Sequence, residues 1–167
     1  MSMAVVVGNP KANSRTMRVA VAVADALETR LDLTSDRLVI DLADIANELF
    51  DQESQRVLDF RGAVAGSQVA VVASPTFKAT YTGLLKAFFD GYATNAFRSV
   101  VAVGVMTGAA PIHALAVEVH LRPLLVELGA VAPTRGLYVT EQQFDDLDQV
   151  IGPWADVAGP LIARHLA

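Results

Sequence analysis

Between Gly8 and Thr16 the chain reads Gly-Asn-Pro-Lys-Ala-Asn-Ser-Arg-Thr, a loop of amides, hydroxyls and cations. It follows the apolar run Met3–Val7 and precedes a segment with helical periodicity. A strand, a short polar loop and a helix start make an anion site, because the free N–H groups of the first turn and the positive end of the helix dipole face the loop. Ser14 or Asn13 can cap the helix, while Lys11, Arg15 and Thr16 add charge and donors. The pattern implies a phosphate. The loop lacks the Gly-Lys-Ser/Thr ending of an NTPase loop and the glycine triplet of a dinucleotide fold, which excludes those occupants. The plain alternative is a capped helix start with solvated Lys and Arg.

Two further loops could do chemistry. Ser74–Gly83 carries Pro75, Thr76, Phe77, Lys78 and Tyr81. Proline fixes the backbone, and two aromatics stand where polar turn residues would be ordinary, which suits a flat ligand, or else packing into the core or an interface. Thr107–His113 has the small residues Gly108, Ala109 and Ala110 ahead of Pro111. Small side chains let backbone N–H groups approach the edge of a heterocycle. His113 can serve as an acid/base group or as a structural hydrogen-bonding residue. His120 and His165 have no metal-ligand spacing to it or to each other, and no Ser-His-Asp or paired-carboxylate arrangement is present, so no metal site and no catalytic side chain is expected. A phosphate loop, a planar-ring loop and a ring-edge loop with few acid/base groups suit flavin mononucleotide, a cofactor that brings its own chemistry.

The elements that must position these loops alternate in type. Strands are expected at Met3–Val7, Arg37–Leu42, Gln68–Ala73 and Arg98–Val105, with a fifth within Val131–Val139. Helices are expected from Ser14 to about Leu31, over Ser54–Val64 and Gly83–Tyr92, and as one long helix over Pro111–Leu128, kinked or broken at Pro123 and closed by Gly129. A last helix over Asp145–Leu166 is expected to break near Gly152-Pro153 and Gly159-Pro160. Ala43–Asp51 reads as a short helix or a loop. Alternating strands and helices imply βαβ units, and five strands fit a doubly wound α/β fold: a parallel, flavodoxin-like sheet of order 2-1-3-4-5 with helices on both faces. In that order the loops after strands 1, 3 and 4 converge at the carboxyl edge, where such sheets bind ligands.

Composition agrees with that class. Apolar residues are 53 % of the 167 residues and the mean hydropathy is +0.40, high enough to imply a sheet covered on both faces and subunit interfaces besides. A net charge of −5 and a pI near 5.0 argue against nucleic acid or an anionic membrane as partner. There is no cysteine, which excludes disulfides, thiolate ligands and a Cys nucleophile. No apolar run is long enough to span a bilayer, no signal peptide is read at the N-terminus, and one cytoplasmic domain over residues 1–167 is the expectation.

The three loops together resemble the NAD(P)H-dependent FMN reductases of flavodoxin-like fold, especially those that serve two-component alkanesulfonate monooxygenases. Gly8-Asn9-Pro10-Lys11 with Ser14-Arg15-Thr16 is similar to that family's phosphate loop. Ser74-Pro75-Thr76-Phe77-Lys78 with Gly83-Leu84-Leu85-Lys86 and Asp90 resembles its second block. Thr107-Gly108-Ala109 through His113, then Leu121–Leu125, resembles its third. The resemblance implies that Asn9, Lys11, Ser14, Arg15 and Thr16 hold the FMN phosphate. It implies that Pro75, Thr76, Phe77 and Lys78 line the ribityl chain and ring, and that Thr107, Gly108 and Ala109, with His113 beside them, meet the pyrimidine edge. It further implies hydride transfer from NADPH or NADH to FMN, FMNH₂ delivered to a partner monooxygenase, and a homodimer or homotetramer. Asn9, Lys11, Phe77 and Ala109 stand where the family pattern has Ser, Arg, Tyr and Gly, departures that would loosen the flavin or change the substrate. Two other readings stay open: a reductase that keeps its FMN and reduces quinones, azo dyes or metal oxyanions, and a flavodoxin-like electron carrier or plain binding domain.

Overall fold

A computed structural model describes residues 2–32 and 36–166. Its strands are β1 (Met3–Val7), β2 (Arg37–Asp41), β3 (Val69–Pro75), β4 (Val101–Gly108) and β5 (Leu137–Thr140). All pair in parallel in the order β2-β1-β3-β4-β5, as the alternation of elements predicts. The register brings the carboxyl ends to one edge: Val7 lies beside Asp41 and Ala73, Pro75 beside Thr107, and Gly108 beside Thr140.

Strand residues alternate between two buried layers, as the period of two requires. Ala4 and Val6 of β1 face one layer with Leu85, Phe88 and Phe89, whereas Met3, Val5 and Val7 face the other with Val19, Val23 and Leu27. The second layer is closed by α1 (Arg15–Leu31) and α5 (Leu147–Ala163). The first is closed by α2 (Gln55–Ala65), α3 (Gly83–Asp90) and α4 (Arg122–Glu127). Three helices start on hydroxyl caps: Ser14 Oγ accepts from Met17 N, Ser54 Oγ from Val57 N and Thr82 Oγ1 from Leu85 N. No helix among the described residues is long and apolar enough to cross a membrane.

Two expectations are corrected. Residues 111–128 do break beside Pro123, but the stretch before the break is not α-helical. They divide into a 3₁₀ turn (Pro111–His113), a π-helical segment (Val117–Leu121) and α4. Pro123 cannot donate to a preceding turn, so the α-helix can only begin beside it, and the turns before it widen. Glu118 and Arg122 pin the widened stretch. The carboxylate accepts from Gly136 N at 2.6 Å, while the guanidinium donates to Ala132 O and Thr134 O. Gly129 does close the segment, at φ 91°, with Ala130 N donating to Leu125 O. The last helix, conversely, is not broken. Pro153 and Pro160 lie inside α5 on its exposed side, so the carbonyls they leave unbonded face water. Arg30 of α1 braces the same helix through Asp156 and Gly152 O.

Candidate functional site

The loop after β1 is held in shape by its own hydrogen bonds. Asn9 Oδ1 accepts from Lys11 N at 2.9 Å, and Asn9 Nδ2 donates to Thr16 Oγ1 at 3.1 Å. Thr16 Oγ1 lies 2.8 Å from Thr107 Oγ1, so the chain continues across the sheet edge to β4. Asn13 takes a left-handed conformation (φ 53°), and its N–H donates to Asp41 Oδ2, which ties the loop to the end of β2. Ser14 is spent as the cap of α1. The amides of Arg15 and Thr16 open that helix and have no acceptor within it. Lys11 and Arg15 line the cleft beside that helix start.

Gly8 sits where a Cβ would lie 2.5 Å from Leu85 Cβ, so only glycine lets β1 pass the start of α3 this closely. Thr82 reinforces the contact by donating to Gly8 O. In the second loop Ser74 Oγ accepts from Thr82 N, and Thr76 N donates to Thr107 O at 2.7 Å. Phe77 and Thr80 exchange backbone hydrogen bonds around a two-residue turn, Lys78-Ala79, with both φ values positive (50° and 70°). That turn exposes Phe77 on its strand side, 52 % accessible, and aims Thr76 inward. Tyr81 packs against the core instead. Thr76 Oγ1 is buried without a hydrogen-bond partner.

The third loop leaves β4 at Gly108, where a Cβ would lie 2.0 Å from Tyr138 Oη. That hydroxyl donates to Ala110 O at 3.1 Å and holds the loop against β5. A fourth loop also reaches the site. Thr140 and Gln143 form a capping box at the end of β5, and the turn presents Glu141 and Phe144 to the first loop. Arg15 Nη2 donates to Glu141 Oε1 at 2.6 Å, and the guanidinium lies 4.9 Å over the Phe144 ring.

Between these loops is a cleft of about 280 Å³. Ten of the residues singled out from the sequence line it: Asn9, Lys11, Ser14, Arg15, Thr16, Pro75, Thr76, Phe77, Thr107 and Gly108. Lys78, Ala109 and His113 do not; all three side chains are exposed nearby. Asn13 and Phe144 line the cleft as well and were not assigned to it. For Phe144 the signal was present, since Thr140-Glu-Gln-Gln143 has capping-box spacing and β5 ends at the same edge. A larger open groove of about 440 Å³ runs along α1 past Met17, Val21 and Leu147. No strand end reaches it, and its lining has no buried polar atom without a partner.

The donor set fits a flavin phosphate ester. Cations and first-turn amides stand at one end, an exposed aromatic at the other, and an unpartnered hydroxyl and a glycine without side-chain room lie between. No group of three or more His, Asp or Glu suited to a metal exists among the described residues.

Comparison with known proteins gives the family. Residues 1–145 match the model of a family described as NADPH-dependent FMN reductase. A relative named NADH-dependent FMN reductase SfnF, from Pseudomonas fluorescens, is 32 % identical over 165 residues, covering 92 % of this chain and 87 % of that protein. An FMN reductase (NADPH) from Pseudomonas aeruginosa is 33 % identical over 148 residues, covering 84 % of this chain and 77 % of its own. Among solved structures, the apo form of the NADH:FMN oxidoreductase EMOB superposes with a TM-score of 0.80 at 28 % identity, over 99 % of this chain and 88 % of that one. With its five-stranded parallel sheet, its three loops at one edge and a family match over 145 residues, the chain belongs to the NADPH-dependent FMN reductase family, flavin oxidoreductases of flavodoxin-like fold.

Proposed function

We propose that the protein binds FMN in the cleft between the β1, β3, β4 and β5 loops, reduces it with NADH or NADPH, and releases FMNH₂ to a partner monooxygenase. When bound, FMN supplies the redox chemistry, since its ring accepts the nicotinamide's hydride without a protein acid or base. The protein's part is position and charge. Lys11, Arg15 and the amides opening α1 face the phosphate. Thr76 offers a buried hydroxyl to the ribityl chain or ring, Phe77 an aromatic wall, and Gly108 a backbone edge that a side chain would block. Asn9, Thr16 and Asp41 act behind them by holding the loop in shape.

The observation that carries this reading is Thr76 Oγ1, a buried hydroxyl without a partner, beside a cationic loop in an acidic protein. A hydroxyl in that state costs stability unless a ligand completes it. Steady-state oxidation of NADH and NADPH, under anaerobic conditions with FMN, FAD and riboflavin each varied, tests it. Catalytic bleaching of the flavin band with FMN is expected. Absence of turnover with both nicotinamides would overturn the reading. We also place the enzyme in the cytoplasm, where its nicotinamide substrates are, and read the apolar surface of residues 112–126 as a contact between identical subunits.

A further inference from the structure

We propose that Glu141 is the residue that limits how tightly the flavin phosphate is held, acting as a built-in rival anion for Arg15. The proposal rests on the flavin reading above and deepens it. Arg15 is one of two cationic side chains lining the cleft, the other being Lys11. Its guanidinium is already engaged: Nη2 donates to Glu141 Oε1 at 2.6 Å, the length of a charge-assisted bond. The guanidinium carbon lies 4.9 Å from the centre of the Phe144 ring, a residue 8 % exposed.

The rival is fixed in place rather than incidental. Glu141 opens a 3₁₀ turn, Glu141–Gln143, whose start is locked by Gln143 Oε1 accepting from both Thr140 N (2.8 Å) and Thr140 Oγ1 (3.0 Å). Thr140 ends β5 in register with Gly108 of β4. The carboxylate is therefore carried by the sheet edge, within hydrogen-bond reach of Arg15. A phosphate arriving at the start of α1 must share the guanidinium with this carboxylate or displace it, and either way it meets a like charge. Both members of the pair are about half exposed, so the penalty is moderate, suited to letting a product go rather than to refusing it.

The test is Glu141→Gln, which keeps size and hydrogen bonding and removes the charge. Dissociation constants for FMN and riboflavin are measured by flavin fluorescence on wild type, E141Q, R15A and the double variant. Riboflavin lacks the phosphate and reports everything else. E141Q should tighten FMN about two- to fivefold, the scale of one exposed charge interaction, and leave riboflavin unchanged. In the R15A background the same substitution should shift the FMN-to-riboflavin ratio less than twofold. An unchanged ratio in E141Q, or FMN and riboflavin tightening together, overturns the proposal. Weaker FMN binding by E141Q overturns it too, because Glu141 would then be holding Arg15 in its binding pose. A wild-type protein that neither binds nor turns over FMN overturns the flavin reading itself, an outcome distinct from the others.

Discussion

Thr76 and Asn9 show how far single residues can be read. Both are polar, both precede a turn, and both line the cleft, yet their hydrogen bonds differ. Asn9 spends its amide on Lys11 N and Thr16 Oγ1 and so shapes the loop, although its position in the motif suggested a phosphate ligand. Residue type announces donors and acceptors, whereas their direction depends on backbone angles that the sequence does not show. Thr76 Oγ1, by contrast, is buried without a partner in the chain. Thr76→Val, which replaces the hydroxyl with a methyl, is therefore expected to act in opposite senses on two measurements. Without ligand the variant should be more stable by about 1 kcal/mol, read from urea midpoints, because an unsatisfied buried group has gone. Its KM for FMN should rise about three- to tenfold, the worth of one hydrogen bond to a ligand. An unchanged KM would remove Thr76 from the binding surface.

At the scale of elements, what could be read was what side-chain chemistry states locally. Ser14, Ser54 and Thr82 cap helices at the places their types and the following periodicity indicate. What could not be read was helix geometry. Val117, Leu121 and Leu125 recur every fourth residue, which is equally consistent with an α-helix, yet the first two are π-helical because Pro123 and the Glu118–Arg122 clamp act together on the backbone. In α5 the two prolines looked like breaks because the chain itself does not reveal that they face solvent.

The end of α3 makes a prediction of its own. Tyr92 packs edge-on to Phe88 and Phe97, donates to Arg61 O at 3.2 Å, and has its phenol held above the ordinary range by burial. The raised pKa means that the folded state resists ionisation. The contribution is complete below the unfolded value of 10.0 and is lost as pH rises beyond it. Lys86, raised chiefly by its hydrogen bond to Asp90, loses stability in the same alkaline direction, but that pair is exposed and contributes little. Denaturant midpoints should fall as pH rises above about 10 in the wild type and fall less in Tyr92→Phe. The variant should also be about 0.5–1.5 kcal/mol less stable near pH 8, for the lost hydrogen bond. Equal alkaline losses in both proteins would assign the effect elsewhere.

For the molecule as a whole, strand order was legible because each strand is a short β-branched run separated by a helical stretch, and right-handed crossovers leave few arrangements. The convergence of the loops followed from that order. The fourth loop was missed because the fifth strand was placed only within Val131–Val139, while it ends at Thr140, where the capping-box turn begins. The surface carries one more consequence. Ile112, Leu115, Val119 and Val126 are 82 %, 64 %, 56 % and 54 % exposed along a single segment. The helix over residues 83–92 turns Leu85, Phe88 and Phe89 inward, so residues 112–126 would carry most of the contact. Gel filtration with light scattering at micromolar concentration should give a dimer or tetramer, and Leu115→Glu should shift it toward the monomer. A monomeric wild type would refute this.

The hydroxyl pair Thr16 and Thr107 bears on the cleft in one further respect. Their oxygens are 2.8 Å apart, and either can be the donor. Thr16 Oγ1 already accepts from Asn9, and each hydroxyl has one hydrogen and two lone pairs. If Thr16 gives its hydrogen to Thr107, the hydrogen of Thr107 is left over; if Thr107 gives, that of Thr16 is left over. The pair is a two-position rotor. It always keeps one hydrogen unspent beside the cleft and can move it from the β1 side to the β4 side by two bond rotations, with no heavy atom displaced.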